Sequence, residues 1–212
     1  MRREMLPLFP LGVVLLPGAR LPLHVFEDRY KEMIGHAIEG ESEFGIVLAK
    51  EEGIARVGCT ATVEEVVRRY HDGRMDIIAV GHSRFEIESL NQDKEYLRAD
   101  VKYFEDEAVA ANPPRRLLRE ARRVFDRLRR AQPDRDFAEP EEGSPTPSFQ
   151  FAQVIDDADF RQQLLVLRSE TDRLQHIVKS WPQYEVKRRL IERIKEAAPT
   201  NGHGKWPGNL PE

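Results

Sequence analysis

The first 110 residues alternate between short apolar segments and turn-forming residues, with one change of period. Three apolar segments separated by prolines open the chain: 6–11, 13–16 and 21–23. Proline cannot donate to a sheet ladder, so these segments predict short strands with turns or edges at the prolines, and Pro17-Gly18 predicts a tight turn. From Phe26 the apolar residues recur at helical spacing as far as Gly40, which predicts one short amphipathic helix.

Further strand signals follow this helix at regular intervals. The segments rich in apolar, β-branched or aromatic residues are 45–49, 58–67, 75–80, 84–90 and 96–104. Asp72-Gly73 lies between the second and third of these segments and predicts a hairpin turn. Six or more short strands with turn residues between them predict a barrel or a sandwich.

The second half of the chain has helical periodicity. Residues 115–130 carry one apolar face, which predicts an amphipathic helix. Residues 132–147 hold four prolines and several acidic residues, which predicts an exposed loop. Ser148 is then predicted to cap a short helix that ends near Ile155, and Asp157 is predicted to cap the next helix.

A long apolar stripe closes the periodic part of the chain. It begins at Phe160 and ends at Trp181 with spacings of three and four residues, which predicts a single packed helix. Pro182 is predicted to interrupt that helix before a final helix begins. The predicted fold class is α+β, with an N-terminal β-rich pseudo-barrel or sandwich that contains one short helix, followed by an α-helical bundle. The predicted units are a β-rich subdomain (1–111), a helical subdomain (112–197) and a disordered tail (198–212).

Composition narrows the class of protein. The 212 residues are 40% hydrophobic and 33% charged, with a net charge of −4, which is typical of a globular protein with a real core. The charge is unevenly divided: residues 1–110 hold 14 basic and 21 acidic side chains, whereas the remainder holds 19 and 16. No apolar run is long enough to cross a bilayer, and Cys59 is the single cysteine, so we expect a cytoplasmic protein with no membrane contact.

Residues that could carry catalysis are sparse. The sequence has no G-x-x-x-x-G-K-[ST] phosphate loop, no G-x-S-x-G elbow and no H-E-x-x-H zinc helix. His24 and Glu27 are three residues apart but have no further clustered ligands, so no metal site is predicted. Cys59 has no visible base and is expected to be a buried core residue. We therefore predict no catalytic residue, no cofactor and no bound metal.

The helix at 115–130 has the strongest local charge. It contains eight arginines and only two acidic residues, Glu120 and Asp126. Such a face is expected to be solvated and partly neutralised by the acidic loop at 132–147, or else to bind nucleic acid or an acidic protein segment. Nucleic acid is the less favoured partner, because the helix lacks interleaved aromatic residues and the β-rich half is acidic.

Several motifs together carry a family resemblance. The opening L-P-L-F-P-L-G-V-V-L-L-P-G at residues 6–18 is followed by L-P-L-H-V-F-E-D-R-Y at residues 21–30. The later segments F-G-I-V-L (44–48), V-G-C-T-A (57–61) and G-H-S-R (81–84) follow in order. This pattern resembles the N-terminal, substrate-binding domain of Lon proteases over roughly residues 5–195, and its first 30 residues are the most specific part.

The resemblance implies a PUA-like β subdomain joined to a helical bundle. In full-length Lon this region precedes an ATPase and a Ser-Lys peptidase, and it helps to select unfolded or tagged proteins. The P-K-D-G-P-S-A-G motif of that peptidase is absent from the sequence, so we expect a stand-alone, ATP-independent form without either catalytic domain. The binding residues implied by the shared motif are Pro17, Gly18, Glu27, Arg29 and Arg84.

These observations favour a non-catalytic module that binds protein or peptide clients such as unfolded segments. An RNA-binding PUA-like module and an unrecognised hydrolase are the alternatives, and the oligomeric state is left open. Phe26 with Tyr30 is expected to anchor the short helix, and Glu27 or Asp28 is expected to pair with Arg84 across the fold.

Overall fold

A computed structural model describes residues 5–107 and 113–197, and the predicted tail at 198–212 lies outside the described residues. The six strands are β1 (Leu6–Leu11), β2 (Arg20–Val25), β3 (Phe44–Lys50), β4 (Gly53–Arg69), β5 (Met75–Asn91) and β6 (Arg98–Phe104). The five helices are α1 (Asp28–Glu39), α2 (Arg115–Arg130), α3 (Pro147–Phe151), α4 (Ala158–Val166) and α5 (Glu170–Ala197). The α+β class is confirmed.

Five of the strands close on themselves as a barrel. β1 pairs in parallel with β3, and antiparallel pairings then connect β3 to β4, β4 to β5, β5 to β6 and β6 back to β1. β2 lies outside this ring and pairs antiparallel with the first half of β5, where Arg20 stands opposite Val80 and Val25 stands opposite Met75. β2 is therefore the terminal strand in the sheet order.

The hairpin of β4 and β5 contains the two longest strands of the barrel, with 17 residues each. Its turn has Gly73 at φ 82°, a conformation that favours glycine, so the predicted Asp72-Gly73 turn is confirmed. Register shifts along the hairpin bend both strands. Phe85 is fully buried on β5, and its ring fills the space left by the missing side chains of Gly45 and Gly58.

The apolar run at residues 13–16 forms no strand, contrary to the prediction. Residues 12–19 instead form an irregular segment, and three of its apolar side chains, Val14, Leu15 and Leu16, are buried. This segment lies so close to β5 that a side chain at Gly81 would meet the carbonyl oxygen of Leu16. These residues are apolar because they close the core, not because they pair in a sheet.

The two halves of the chain share one hydrophobic core. A single buried cluster contains Phe9 and Phe44 from the β-rich half together with Phe125, Phe149 and Leu174 from the helical half. Helices α2 and α3 pack against α5. A division of the chain near residue 112 remains a prediction, because the change from strands to helices there is not accompanied by a second, separate core of that size.

Three helix predictions need correction. Ser148 does not cap a helix: Thr146 holds the cap position of α3, and Ser148 lies inside the helix with its hydroxyl on Glu170. The predicted single helix from Phe160 is broken between α4 and α5, at residues 167–169. Pro182 does not end α5: the helix continues through this exposed proline to Ala197. The Asp157 cap is confirmed by a 3.0 Å hydrogen bond from the Phe160 amide.

Candidate functional site

An open groove of about 610 Å³ lies where β1 ends and α1 begins. The end of β2, the junction before α1, the first turn of α1 and the loop before β6 all contribute to its walls. Its lining residues are Phe9, Pro10, Leu11, His24, Phe26, Glu27, Arg29, Tyr30, Gln92, Lys94, Glu95, Tyr96 and Leu97. Concave, mixed apolar and polar surfaces of this kind are typical binding sites.

An aromatic shelf of His24, Phe26 and Tyr70 borders the groove: His24 and Phe26 line it, and Tyr70 contacts His24 from outside the lining. Phe26 is 60% exposed although it is a large apolar residue, and its ring stacks on His24 at 5.9 Å with an interplanar angle of 21°. Tyr70 contacts the same imidazole edge-on at 5.9 Å. The prediction that Phe26 anchors α1 is therefore wrong, because Phe26 faces solvent while Tyr30 is buried.

Asp76 fixes two residues of the shelf, His24 and Tyr70, by hydrogen bonds. His24 Nδ1 lies 2.6 Å from Asp76 Oδ1, and the Tyr70 hydroxyl donates to Asp76 Oδ2 at 2.7 Å. The hydrogen bond with His24, and then that from Tyr70, holds the pKa of Asp76 below its usual value. The side chain on which Phe26 stacks is thus fixed before any ligand arrives, which lowers the entropy cost of binding.

The floor of the groove is aromatic. The rings of Phe9 and Tyr30 lie 4.3 Å apart, and Tyr96 is buried in the same wall. Burial raises the pKa of the Tyr30 phenol, so its hydroxyl remains a neutral donor. The Arg29 guanidinium lies 4.6 Å above the Tyr30 ring. A ligand in the groove would therefore contact apolar surface at the floor and polar groups at the edges.

The rim carries both signs of charge. Arg29 donates to Glu27 Oε2 from Nε at 2.9 Å and from Nη2 at 2.6 Å. Lys94 Nζ lies 3.3 Å from Glu32 Oε1 on the opposite side. Because these charges are exposed and already paired, the rim does not favour a strongly charged ligand of either sign.

The predicted residues Pro17 and Arg84 lie in a different place, a cavity of about 500 Å³ between β6 and the helical half. Gly18 has φ 72° in the neighbouring turn, where its amide donates to the Gly81 carbonyl at 2.9 Å. The five residues implied by the family motif are therefore split: Glu27 and Arg29 line the groove, whereas Pro17, Gly18 and Arg84 do not.

Arg84 belongs to a buried ionic network that joins the two halves of the chain. It donates to Asp106 Oδ1 at 2.5 Å and to the Leu167 carbonyl at 2.5 Å. Arg173, which is fully buried, donates to both oxygens of Asp106 and, at 2.7 Å, to Glu170 Oε2. The break between α4 and α5 leaves the Leu167 carbonyl free to accept both guanidiniums.

The predicted pair between Arg84 and Glu27 or Asp28 is not formed. Glu27 pairs with Arg29, and Asp28 pairs with Lys31 at 2.6 Å. Burial alone would raise the pKa of Asp106, but the hydrogen bonds and positive charges of Arg173 and Arg84 outweigh burial and lower it. Arg84 and Arg173 thus hold the two halves of the fold together. The further acceptors of these two arginines, the Leu165 carbonyl and the Ser148 hydroxyl, also lie in the helical half.

Cys59 and His82 have side chains that could act as nucleophiles or metal ligands. Cys59 is fully buried in β4, and burial raises the pKa of its thiol to about 12. His82 lies 2.8 Å from the Thr62 hydroxyl. Within residues 5–107 and 113–197, no three His, Cys, Asp or Glu side chains are arranged to hold a metal ion. In the same residues, no helix has the length and apolar character needed to span a bilayer.

The sequence did not reveal two features of the groove and its support. The role of Asp76 depends on the strand register that places it opposite His24, and this register is not visible in either segment alone. The loop residues Lys94 and Tyr96 gave no signal beyond the start of a strand. The exposure of Phe26 could have been predicted, because a phenylalanine that directly precedes the acidic start of a helix lies outside the helix's apolar face.

Residues 5–181 match the family model for the ATP-dependent protease La (LON) substrate-binding domain. Lon protease from Parabacteroides distasonis is 29% identical over 111 residues, which is 49% of this chain and 14% of that protein. Lon protease 1 from Hydrogenovibrio crunogenus is 22% identical over 211 residues, covering 87% of this chain and 25% of that protein. The chain thus spans a quarter or less of these relatives.

Solved structures show the same fold. A Lon N-terminal domain protein from Xanthomonas campestris aligns with a TM-score of 0.63 and 25% identity, covering 84% of this chain and 98% of that one. The N-terminal domain of the Mycobacterium avium complex Lon protease aligns with a TM-score of 0.61 and 17% identity, covering 85% and 98%. Because the family model covers most of the chain, this protein belongs to the family of the Lon protease substrate-binding domain.

Proposed function

We propose that this chain is a non-catalytic, ATP-independent module that binds polypeptide clients in the groove between β1, β2 and α1. The client is an unfolded or extended segment that carries a large apolar side chain. The observation that supports this most strongly is the aromatic shelf, where Phe26 is 60% exposed yet held by His24, Asp76 and Tyr70. Exposed large apolar residues at a concave site mark protein interaction surfaces.

The chemistry of the groove suits this class of client. Its floor is aromatic and its rim is charge-balanced, so an apolar side chain can be buried while the client backbone finds polar groups at the edge. Aromatic residues at the centre of an interface supply most of its binding energy. Glu27 and Arg29, which the family motif implies, contribute to recognition at the rim rather than at the apolar centre.

A non-enzymatic role is supported by the state of the reactive groups. The Cys59 thiol is buried and has a pKa of about 12, so it does not supply a thiolate at neutral pH. His24 and His82 are each hydrogen-bonded to a structural partner, Asp76 and Thr62. We also propose a cytoplasmic location, because a free, buried cysteine suits a reducing compartment.

Fluorescence anisotropy with a labelled, permanently unfolded client, such as reduced and carboxymethylated lactalbumin, tests the proposal. We expect Phe26→Ala to weaken binding by about tenfold or more, because truncating an aromatic at an interface centre typically costs over 1 kcal/mol. Leu190→Ala is the matched control, since Leu190 is 56% exposed and lies on α5, outside the groove lining. Binding that is unchanged by Phe26→Ala would refute the groove as the client site.

A labelled single-stranded RNA in the same assay separates the alternative function. An RNA-binding module should lose affinity steeply as salt is raised, because phosphate contacts release counterions. Client binding through an apolar centre should change little over the same range. Tight RNA binding with steep salt dependence, together with no client binding, would favour the RNA-binding alternative over our proposal.

A further inference from the structure

The outward face of α2 carries a row of arginines that have no hydrogen-bond or ion-pair partner among the residues that the structure describes. Five arginines of this helix form no hydrogen bond or ion pair with any residue in the described part of the chain: Arg115, Arg119, Arg123, Arg127 and Arg130. We refer to these five residues as the arginine stripe. All five are exposed, and at 100° per residue they fall within an arc of about 120° on one side of the helix.

The other arginines of α2 are occupied. Arg116 pairs with Glu120 at 2.9 Å, and Arg122 pairs with Asp126 at 3.1 Å and with Glu139 at 2.7 Å. Arg129 also pairs with Glu139. The acidic loop therefore neutralises one flank of the helix, as expected from the sequence, and leaves the arginine stripe uncompensated. The Arg127 guanidinium lies over the ring of Trp181, at 5.7 Å.

We propose that the arginine stripe is a docking surface for an extended, acidic polypeptide segment with carboxylates on alternate residues. Arg115, Arg119, Arg123 and Arg127 are spaced four residues apart, which is about 6 Å along a helix. Same-side residues of an extended strand repeat at about 6.6 Å. The two repeats match, so successive carboxylates can each meet one guanidinium, and arginine binds carboxylate in a two-pronged geometry.

Two other occupants fit the stripe less well. A single-stranded nucleic acid binds where several aromatic side chains can stack on successive bases. Phe125 of α2 is buried, and Trp181 is the one aromatic residue that contacts the stripe within the described part of the chain. A second copy of this chain would have to present acidic residues at alternate positions. Its set at Glu39, Glu41 and Glu43 lies in a turn, with Glu41 at φ 46°, so those carboxylates are not in an extended row.

The chain's own tail is not a suitable occupant either. Residues 198–212 contain one acidic side chain, Glu212, so they cannot supply a row of carboxylates. The proposed occupant is an acidic segment of another protein. This surface is separate from the groove, and its occupancy does not depend on whether the groove binds a client.

Anisotropy with labelled ten-residue peptides tests this inference. One peptide alternates Glu and Ser, and the other has the same composition in two blocks. We expect the alternating peptide to bind the full chain more tightly than the block peptide by about threefold or more. Replacing Arg119 and Arg123 together by Gln is expected to weaken its binding by about tenfold, because two exposed ion pairs with the peptide are lost.

The matched control is the double variant Arg69→Gln/Lys102→Gln. It removes two exposed, unpaired positive charges from the β-rich half, as far as the described residues show, and should leave peptide affinity unchanged. Equal binding of the two peptides, equal loss in both double variants, or absence of binding would overturn the inference. Tighter binding of ten-nucleotide uridine RNA would also overturn it, as would self-association that sedimentation velocity shows to be lost in Arg119→Gln/Arg123→Gln.

Discussion

The buried ionic network makes a sharp prediction about Asp106. Its carboxylate accepts hydrogen bonds from Arg84 and Arg173, which are 5% and 0% exposed. The change Asp106→Asn keeps the shape but removes the charge, so Arg173 retains Glu170 as a carboxylate partner, whereas the hydrogen bonds that Arg84 keeps within the described residues go to the Leu165 and Leu167 carbonyls. Removing one member of a buried ion pair typically costs about 3–5 kcal/mol, because the remaining charge is left buried and uncompensated.

The lower end of that range applies here. Asp106 is 24% exposed, so water can partly replace the lost charge, and we expect a loss of about 3 kcal/mol in the free energy of unfolding. For a chain of this size each kcal/mol lowers the melting temperature by about 2–4 °C, which predicts a drop of roughly 6–12 °C. Urea unfolding followed by circular dichroism gives the free energy, and a thermal scan gives the melting temperature.

Asp93→Asn is the matched control for this prediction. Asp93 also accepts hydrogen bonds from an arginine, Arg98, but it is 55% exposed on the surface. Exposed pairs contribute little, so this variant should unfold close to the wild-type midpoint. If Asp106→Asn and Asp93→Asn shifted the midpoint equally, the network would not be the tie between the two halves that we infer.

Three further predictions follow from particular contacts. The difference in unfolding free energy between the wild type and Asp106→Asn should be largest above about pH 4 and should shrink as the pH falls. The reason is that the pKa of Asp106 is lowered in the fold, so this residue stabilises the fold only while its carboxylate is ionised. Urea midpoints at pH 7, 4 and 3 measure this difference, and a constant difference would contradict the prediction. Gly81→Ala should destabilise the chain by about 1–3 kcal/mol, because its new methyl group would collide with the Leu16 carbonyl, whereas Gly12→Ala, with open space around it, should be neutral in the same urea titration. Cys59 should react with Ellman's reagent at pH 8 only after unfolding, because burial raises its pKa to about 12; rapid labelling of the native chain would show that the thiol is accessible.

Local signals in the sequence were enough to find many elements. The Asp72-Gly73 turn, the helix that begins near Asp28 and the amphipathic helix at 115–130 all appear in the structure. Each depends on residues that are near one another along the chain, where turn chemistry and helical spacing act directly. The opening motif also identified the family, which the comparison with the family model confirms.

The missed features depend on contacts between distant parts of the chain. The partner of Arg84 is Asp106, and both are tied to Arg173, so the wrong pairing with Glu27 or Asp28 arose from judging the motif without its tertiary neighbours. The helix break at residues 167–169 has the same origin. The stripe that begins at Phe160 favours one helix, but the buried guanidiniums take the Leu167 carbonyl as an acceptor, and this tertiary demand outweighs local propensity.

Site-specific photo-crosslinking tests the client-binding groove most directly. Benzoylphenylalanine is placed at position 26 in one variant and at position 190 in another, since Phe26 and Leu190 are similarly exposed and Leu190 lies on α5, outside the groove lining. We predict that light crosslinks the unfolded client to position 26, that excess unlabelled client suppresses this product, and that position 190 gives none. Equal yields at the two positions, or a product at position 190 alone, would contradict the groove as the site where this protein holds its clients.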